Sequence, residues 1–298
     1  MSDNINLDQD SYRKYLDNWL DGISSEISFW KSLMVVEHAG GGGVTYIKKK
    51  FILEKYITGK KTRLLDVGSG PFPYVGAKTD KTELEYHAVD PLAQCYKILR
   101  DRYKICADII PEFAFVEYLT EKFSENYFDI VHMSNALDHC FNPLLGIYQM
   151  LHVCRIGGKV ILRHGNNEAE NSNYDGFHQW NICVENTELI IWRPKIRYNI
   201  TQIIQKYADI FLETNEPSQH GVILQKKQTI PLEKIQFLPM SIVNEKIFER
   251  LYKLIFRMVD KKRNNVYIWI RYLLFKIPLV VILSKNIKKM QNLRKIKE

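Results

Sequence analysis

Residues 64–70 read Leu-Leu-Asp-Val-Gly-Ser-Gly, and the run His87-Ala-Val-Asp90 places an acid twenty residues beyond Gly70. The first run has the pattern of a buried strand that breaks into a glycine turn, and the second that of the next strand with a carboxylate at its tip. Together they constrain the chain to an open α/β sheet whose ligand lies at the strand ends. Small residues let a backbone approach that ligand, and the acid can accept both hydroxyls of a ribose. The pair therefore suits a nucleoside.

A Gly-x-Gly after a strand is by itself a weak signal, so the rest of the chain decides the reading. Asp66 stands two residues before Gly68, a position where the dinucleotide fingerprint wants no acid. Val116-Glu117-Tyr118 has the form of a third strand's end, Phe128-Asp129-Ile130-Val131 that of a fourth strand, and Ile156-Gly157-Gly158-Lys159-Val160-Ile161-Leu162 that of a turn into a fifth. In this order and spacing the chain resembles a class I S-adenosylmethionine-dependent methyltransferase. The resemblance implies an α/β fold with a Rossmann-like seven-stranded sheet, and the residues on either side read as N-terminal helices and a basic, partly amphipathic C-terminal helical extension. The chain then divides into an N-terminal helical cap (1–60), a methyltransferase domain (61–229) and the extension (230–298). The resemblance also implies S-adenosyl-L-methionine as cofactor, held by Asp66, Gly68, Ser69, Gly70, Asp90, Pro91, Glu117, Tyr118 and Asn135. Asp90 is expected on the ribose, with Glu117 by the adenine amino group and the Tyr118 N–H near the ring. One departure is Pro71-Phe72-Pro73, where the family often has another small residue; prolines stiffen that turn and remove N–H donors.

Residues 9–37 carry apolar and aromatic positions at three- and four-residue steps, as a helix requires. The run Ala39-Gly40-Gly41-Gly42-Gly43 reads either as a linker or as an active-site lid, and 46–57 as a helix before the first strand. The segment from His164 to Asn181 is long, rich in Asn, and contains two His and three acids, with Tyr174 and Trp180. A loop of that length in a compact domain is usually functional or disordered, and its aromatic content argues for function. Beyond it, Leu189–Trp192 reads as a strand and 201–207 as a short helix. Residues 211–214 and 221–225 read as the hairpin that closes the sheet.

Asn135-Ala-Leu-Asp-His139, Asn142-Pro143-Leu144, Arg163-His164, Asn167-Glu168-Ala169-Glu170 and His178-Gln179-Trp180-Asn181 further resemble bacterial methyltransferases associated with surface-polysaccharide synthesis, as does Glu26-Ile27-Ser28-Phe29-Trp30. That resemblance implies a sugar, nucleotide-sugar or sugar-linked acidic acceptor. An acceptor hydroxyl benefits from a base, whereas a phosphate oxygen does not. His139 is the leading base, with His164 and His178 as alternatives and Asp138 beside them. Asn167, Glu168, Glu170, Tyr174, Gln179 and Trp180 are the candidate acceptor contacts. No metal is expected, although Asp138, Asn166 and Glu168 offer hard oxygen ligands.

Composition supports a soluble enzyme: hydrophobic residues make up 46% and charged residues 26%. Cys95, Cys106, Cys140, Cys154 and Cys183 are odd in number and lack Cys-x-x-Cys spacing, which argues against a disulfide framework or a zinc knuckle. The acidic, polar start reads as cytoplasmic, without a secretory signal. The net charge of +8 is uneven. Residues 244–298 hold fifteen Lys and Arg against four Asp and Glu, leaving 1–243 at −3. Nucleic-acid binding is disfavoured, because a catalytic domain that tracks phosphates carries positive charge at its own site. With helical periodicity over 245–259 and an aromatic apolar run over 266–283, the tail suits the anionic inner face of a membrane. Packing on protein is the competing reading. RNA methylation through the tail, and a non-catalytic binding protein on the same fold, are the alternative functions.

Overall fold

Apolar residues on one side of a long helix need a surface to cover, and here that surface is the sheet's ligand edge. The computed structural model describes residues 9–42, 54–57, 59–73, 82–215 and 219–235, with residues 247, 249–251 and 253–254. The chain divides into two compact units, Met1–Ile247 and Phe248–Glu298, and the sheets and their helices belong to the first. The predicted first helix is α1, Gln9–His38, which buries Leu16, Trp19, Ile23, Ile27 and Met34.

Gly22 marks where α1 crosses the turn at Gly176–Phe177. A Cβ there would stand 2.3 Å from Phe177 Cδ1 and 2.8 Å from the Gly176 carbonyl. Gly22→Leu gains up to about 1 kcal/mol of helix propensity. Because the nearest atoms include backbone, the overpacking cost of about 1–3 kcal/mol should prevail. A lower midpoint in chemical denaturation is the expected result; an unchanged midpoint would mean that the helix does not press on this turn.

The main sheet is built from β1 (Lys61–Val67), β2 (Glu83–Val89), β3 (Phe128–Ser134), β4 (Cys154–Gly165), β8 (Ala208–Asn215) and β9 (Gln219–Lys226). Its order is β2-β1-β3-β4-β9-β8. The first four strands run parallel, and β9 pairs antiparallel with both β4 and β8. Leu64, Leu65, Val131, Val160, Ile161 and Leu224 are fully buried in it, as strands covered on both faces require. The helices α2 (Ala93–Tyr103) and α3 (Pro143–Val153) connect the parallel strands. Asn142 caps α3 by accepting from the Leu145 N–H at 3.0 Å, with Pro143 at the first turn.

Among the described residues the main sheet has six strands, one fewer than the seven expected. The segment expected as the third strand supplies one bridge, Val89 to Glu112, and Val116–Glu121 is a 3-10 turn. Pro111 removes a ladder donor directly before the bridge. Phe115, Val116 and Leu119 then turn into the core, which ends the extended run. Gly157-Gly158 forms a bulge inside β4 rather than a turn before it, with the pairing shifted between Phe128 and Ile130.

The segment after β4 is ordered. It contains α4 (Glu168–Asn171) and leads into a second, three-stranded sheet of β5 (Asn181–Glu185), β6 (Glu188–Arg193) and β7 (Ile196–Asn199), followed by α5 (Ile200–Ile204). A short helix α6, Leu232–Ile235, follows β9. Of the helix expected over 46–57, only a 3-10 turn at Glu54–Tyr56 falls within the described residues. Most of 245–259, all of 266–283 and the basic flank lie outside them. No helix among the described residues is long and apolar enough to cross a membrane.

Candidate active site

The C-terminal ends of β1 and β2 open into a cleft of about 810 Å³, within the range of small-molecule sites. At its floor Gly68 and Gly70 take φ of +62° and +61°, where side chains are disfavoured. A Cβ on Gly68 would lie 2.6 Å from the Ala136 Cβ, and one on Gly70 would lie 3.1 Å from the Trp30 ring. Asp90 ties this turn to the next strand: Oδ2 accepts from the Gly70 N–H at 2.9 Å and Oδ1 from the Leu92 N–H at 2.7 Å. Burial pushes the Asp90 carboxyl up to about 7, against the pull of those two amides.

Asp66 is buried between two partners, with Oδ1 2.8 Å from His132 Nδ1 and Oδ2 accepting from the Tyr86 hydroxyl at 3.0 Å. Glu117 accepts from the Asn142 N–H at 3.2 Å, and burial raises its carboxyl to about 7. Ser69, Pro91 and Asn135 also reach the wall. Asn135 has φ +46° and accepts from the Gly165 N–H at 3.0 Å. Tyr118 departs from expectation: it is buried off the wall, and its N–H is spent on the Phe115 carbonyl inside the 3-10 turn.

The roof of the cleft comes from α1, whose residues were not singled out as ligand contacts. Glu26 and Trp30 both face the cleft. Glu26 Oε1 accepts from Trp30 Nε1 at 2.7 Å and from the Tyr96 hydroxyl at 3.3 Å. Their i, i+4 spacing was the available signal. Trp19 stacks on Phe177 at 5.0 Å and so closes the other end of the same roof.

At that end stand Asp138, His139 and His178. His178 Nδ1 lies 2.7 Å from Asp138 Oδ2, a hydrogen bond, whereas His139 Nε2 lies 3.4 Å from the same oxygen. Burial would raise the Asp138 carboxyl, but the charge of His139 and the His178 hydrogen bond hold it below its usual range. The Asp138 hydrogen bond raises the His178 imidazole. The ligand atoms of the three all lie within 4.8 Å of one another. As it stands, the arrangement is a carboxylate–imidazole pair with a second imidazole beside it.

His164 is not part of this site. It is buried on β4 away from the cleft wall, and burial drives its pKa down to about 3. Of the six candidate acceptor contacts, Glu168 lines the cleft. Asn167 instead takes φ +52° and accepts from Trp192 Nε1 at 3.1 Å, and the Glu170 N–H is held by Asn181 Oδ1 at 2.8 Å. Trp180 is fully buried and donates from Nε1 to the Cys140 carbonyl at 2.9 Å, so it is a core residue rather than an acceptor contact. Tyr174 and Gln179 face a smaller adjoining cavity.

The cleft wall carries seven carboxylates (Glu26, Asp66, Asp90, Glu117, Asp138, Glu168, Asp175) and, among the described residues, no Lys or Arg. Such a surface favours cationic and neutral ligands over phosphates.

No protein-family model matches the chain, and no curated protein does. Solved structures overlap it in part. They include the CurJ carbon methyltransferase (13% identity, TM-score 0.41, 59% of this chain and 51% of that one). The citrinin polyketide synthase CMeT domain is 15% identical at TM-score 0.41, over 57% of this chain and 48% of that one. Phosphoethanolamine N-methyltransferase 2 of Haemonchus contortus, solved with S-adenosyl-L-methionine, is 16% identical at TM-score 0.40, over 59% and 51%. This chain therefore spans about half the length of each of these three. The strand order and the cleft residues, rather than these overlaps, carry the functional reading.

Proposed function

We propose that this chain is an S-adenosylmethionine-dependent methyltransferase acting on a hydroxyl of a sugar. The observation that carries the reading is the conjunction at one sheet edge of the Gly68–Gly70 cradle and Asp90, beneath a strand order that ends in an antiparallel hairpin. The cradle fits the donor: a Cβ at Gly68 would meet the Ala136 side chain and one at Gly70 the Trp30 ring, so both positions stay bare and leave backbone at the cleft floor for a nucleoside to approach. Bound there, S-adenosylmethionine supplies an electrophilic methyl group on a sulfonium centre. Asp90 would hold the ribose hydroxyls and Glu117 the adenine amino group, and the acidic wall matches the donor's positive charges. At the far end, Asp138 fixes His178 through Nδ1 and leaves Nε2 to take the acceptor's proton. Trp19, Trp30 and Phe177 line the cleft as an aromatic roof that would shield the line of transfer from water once donor and acceptor fill it.

A hydroxyl acceptor agrees with a base at that position, and the lack of cations among the described wall residues disfavours acidic or nucleotide-linked acceptors. The association with surface glycans rests on the sequence resemblance. In that setting the basic 244–298 segment would hold the enzyme at an anionic membrane face. The RNA reading places a polyanion against a wall with seven acidic side chains and, among the described residues, no Lys or Arg, which costs affinity. Calorimetric titration with S-adenosylmethionine tests the core of the proposal: saturable one-site binding is expected, and its absence would leave only the fold.

A further inference from the structure

Next to the donor cleft lies a second cavity of about 280 Å³. That is roughly nine waters' share of liquid volume, room for one six-membered ring with its substituents. Ser25, Asp175, Gly176 and His178 line both spaces, so the imidazole held by Asp138 forms part of the partition between them. We infer that this cavity is a saccharide subsite, holding the uncharged sugar residue next to the one that is methylated. The inference rests on the methyl-transfer reading for the identity of the first site.

Its polar lining has unused hydrogen-bonding capacity. Gln179 is 3% exposed, yet neither its amide oxygen nor its amide nitrogen has a partner. Arg193 Nη1 is likewise buried without a partner. The faces of that guanidinium are engaged instead, 4.1 Å from the Tyr15 ring and 5.1 Å from the Trp180 ring. Buried polar atoms are normally satisfied, and two such side chains in one cavity mark places where a ligand or water completes the bonding. A side-chain amide that can both accept and donate, in the same lining as a guanidinium N–H donor, suits a vicinal diol once the side chains turn toward it. Tyr174 adds a hydroxyl that accepts from Asn181 Nδ2 at 3.0 Å and retains its own proton to donate.

Charge selects within that class. Asp21 and Asp175 stand against the single guanidinium of Arg193, so the lining holds no net positive charge to attract a phosphate or uronate. An oligosaccharide chain of at least two residues would thus lie across the partition, with its reacting hydroxyl on the His178 side.

The test uses the full chain saturated with S-adenosylhomocysteine and the methyl glycosides of glucose, galactose, mannose, N-acetylglucosamine and rhamnose. These are compared with maltose, cellobiose, lactose and chitobiose by saturation-transfer NMR and calorimetry. At least one neutral disaccharide should bind about tenfold more tightly than its monosaccharide, the worth of one well-made hydrogen-bonding pair. Gln179→Leu and Arg193→Met should each lose that gain while S-adenosylmethionine binds as before, which shows that the variants fold. The proposal is overturned if none of the four disaccharides gains over its monosaccharide, if the gain survives in both variants, or if glucose 6-phosphate or galacturonate is preferred. Failure of S-adenosylmethionine itself to bind would instead remove the methyl-transfer reading, and the saccharide titrations would still report on the cavity.

Discussion

Replacing Asp138 by Asn should lower kcat by about 10²–10⁴-fold, the usual worth of a positioned general base, with little change in S-adenosylmethionine affinity. Asp138 accepts from His178 Nδ1 at 2.7 Å, which fixes the tautomer with Nε2 open and stabilises the imidazolium that forms when the proton is taken. An amide can do neither. The pH profile separates this role from a merely structural one. In the wild type the carboxylate raises the His178 pKa, so the basic form, and with it kcat, is lost as pH falls through that raised value. In Asp138→Asn the residual activity should keep its acid limb down to lower pH. His178→Ala should match the loss, while His139→Ala should cost less, because His139 is 3.4 Å from the carboxylate and outside its hydrogen bond. Equal profiles in wild type and Asp138→Asn would remove the pair from catalysis. Dialysis against a chelator should leave turnover intact; a loss restored by a divalent ion would instead assign Asp138, His139 and His178 to a metal.

Asp90→Ala should weaken S-adenosylmethionine binding by about 1.5–3 kcal/mol, the scale of hydrogen bonds to a charged group, which is roughly a ten- to hundredfold rise in Kd. Two effects combine. The ribose loses its acceptor, and the Gly70 and Leu92 amides lose the group that holds the turn. The carboxyl is raised to about 7 by burial, while accepting from ribose hydroxyls favours its ionised form. Binding should therefore release a proton, and donor affinity should fall as pH drops below 7, by up to about tenfold per unit. Calorimetry in two buffers of different ionisation enthalpy reads that proton directly. Unchanged affinity in Asp90→Ala would take the acid out of the site.

Residues whose role is local were legible in the sequence. Gly68, Gly70 and Asp90 announce themselves because a positive φ and a strand-end acid need particular residue types in one short stretch of sequence. Long-range partners were not. Asp138 adjoins His139 in sequence, yet it bonds to His178, forty residues later. That choice is made by the fold of 164–181, which no periodicity encodes. The Asn-rich composition of that segment suggested acceptor contacts. Its actual work is backbone geometry: Asn167 and Asn173 take positive φ, and Asn181 holds the Glu170 N–H and the Tyr174 hydroxyl. The missing third strand was hidden for a similar reason. Val116–Leu119 has strand-like residues, but burial of their side chains in the core outweighs that preference.

The roof that α1 lays over the glycine turn ties two rates together. The Trp30 ring lies within 3.1–3.7 Å of the position a Gly70 Cβ would take, and Glu26 faces the same cleft, so under the proposed function a nucleoside on the glycine turn would lie beneath a helix. If release of the spent donor requires that helix to open, turnover would be no faster than the opening of Ser25–Trp30. Amide protons in that stretch, followed by deuterium exchange, should slow by the factor 1 + [L]/Kd when S-adenosylhomocysteine is added. Unchanged exchange in that stretch would separate the helix from product departure.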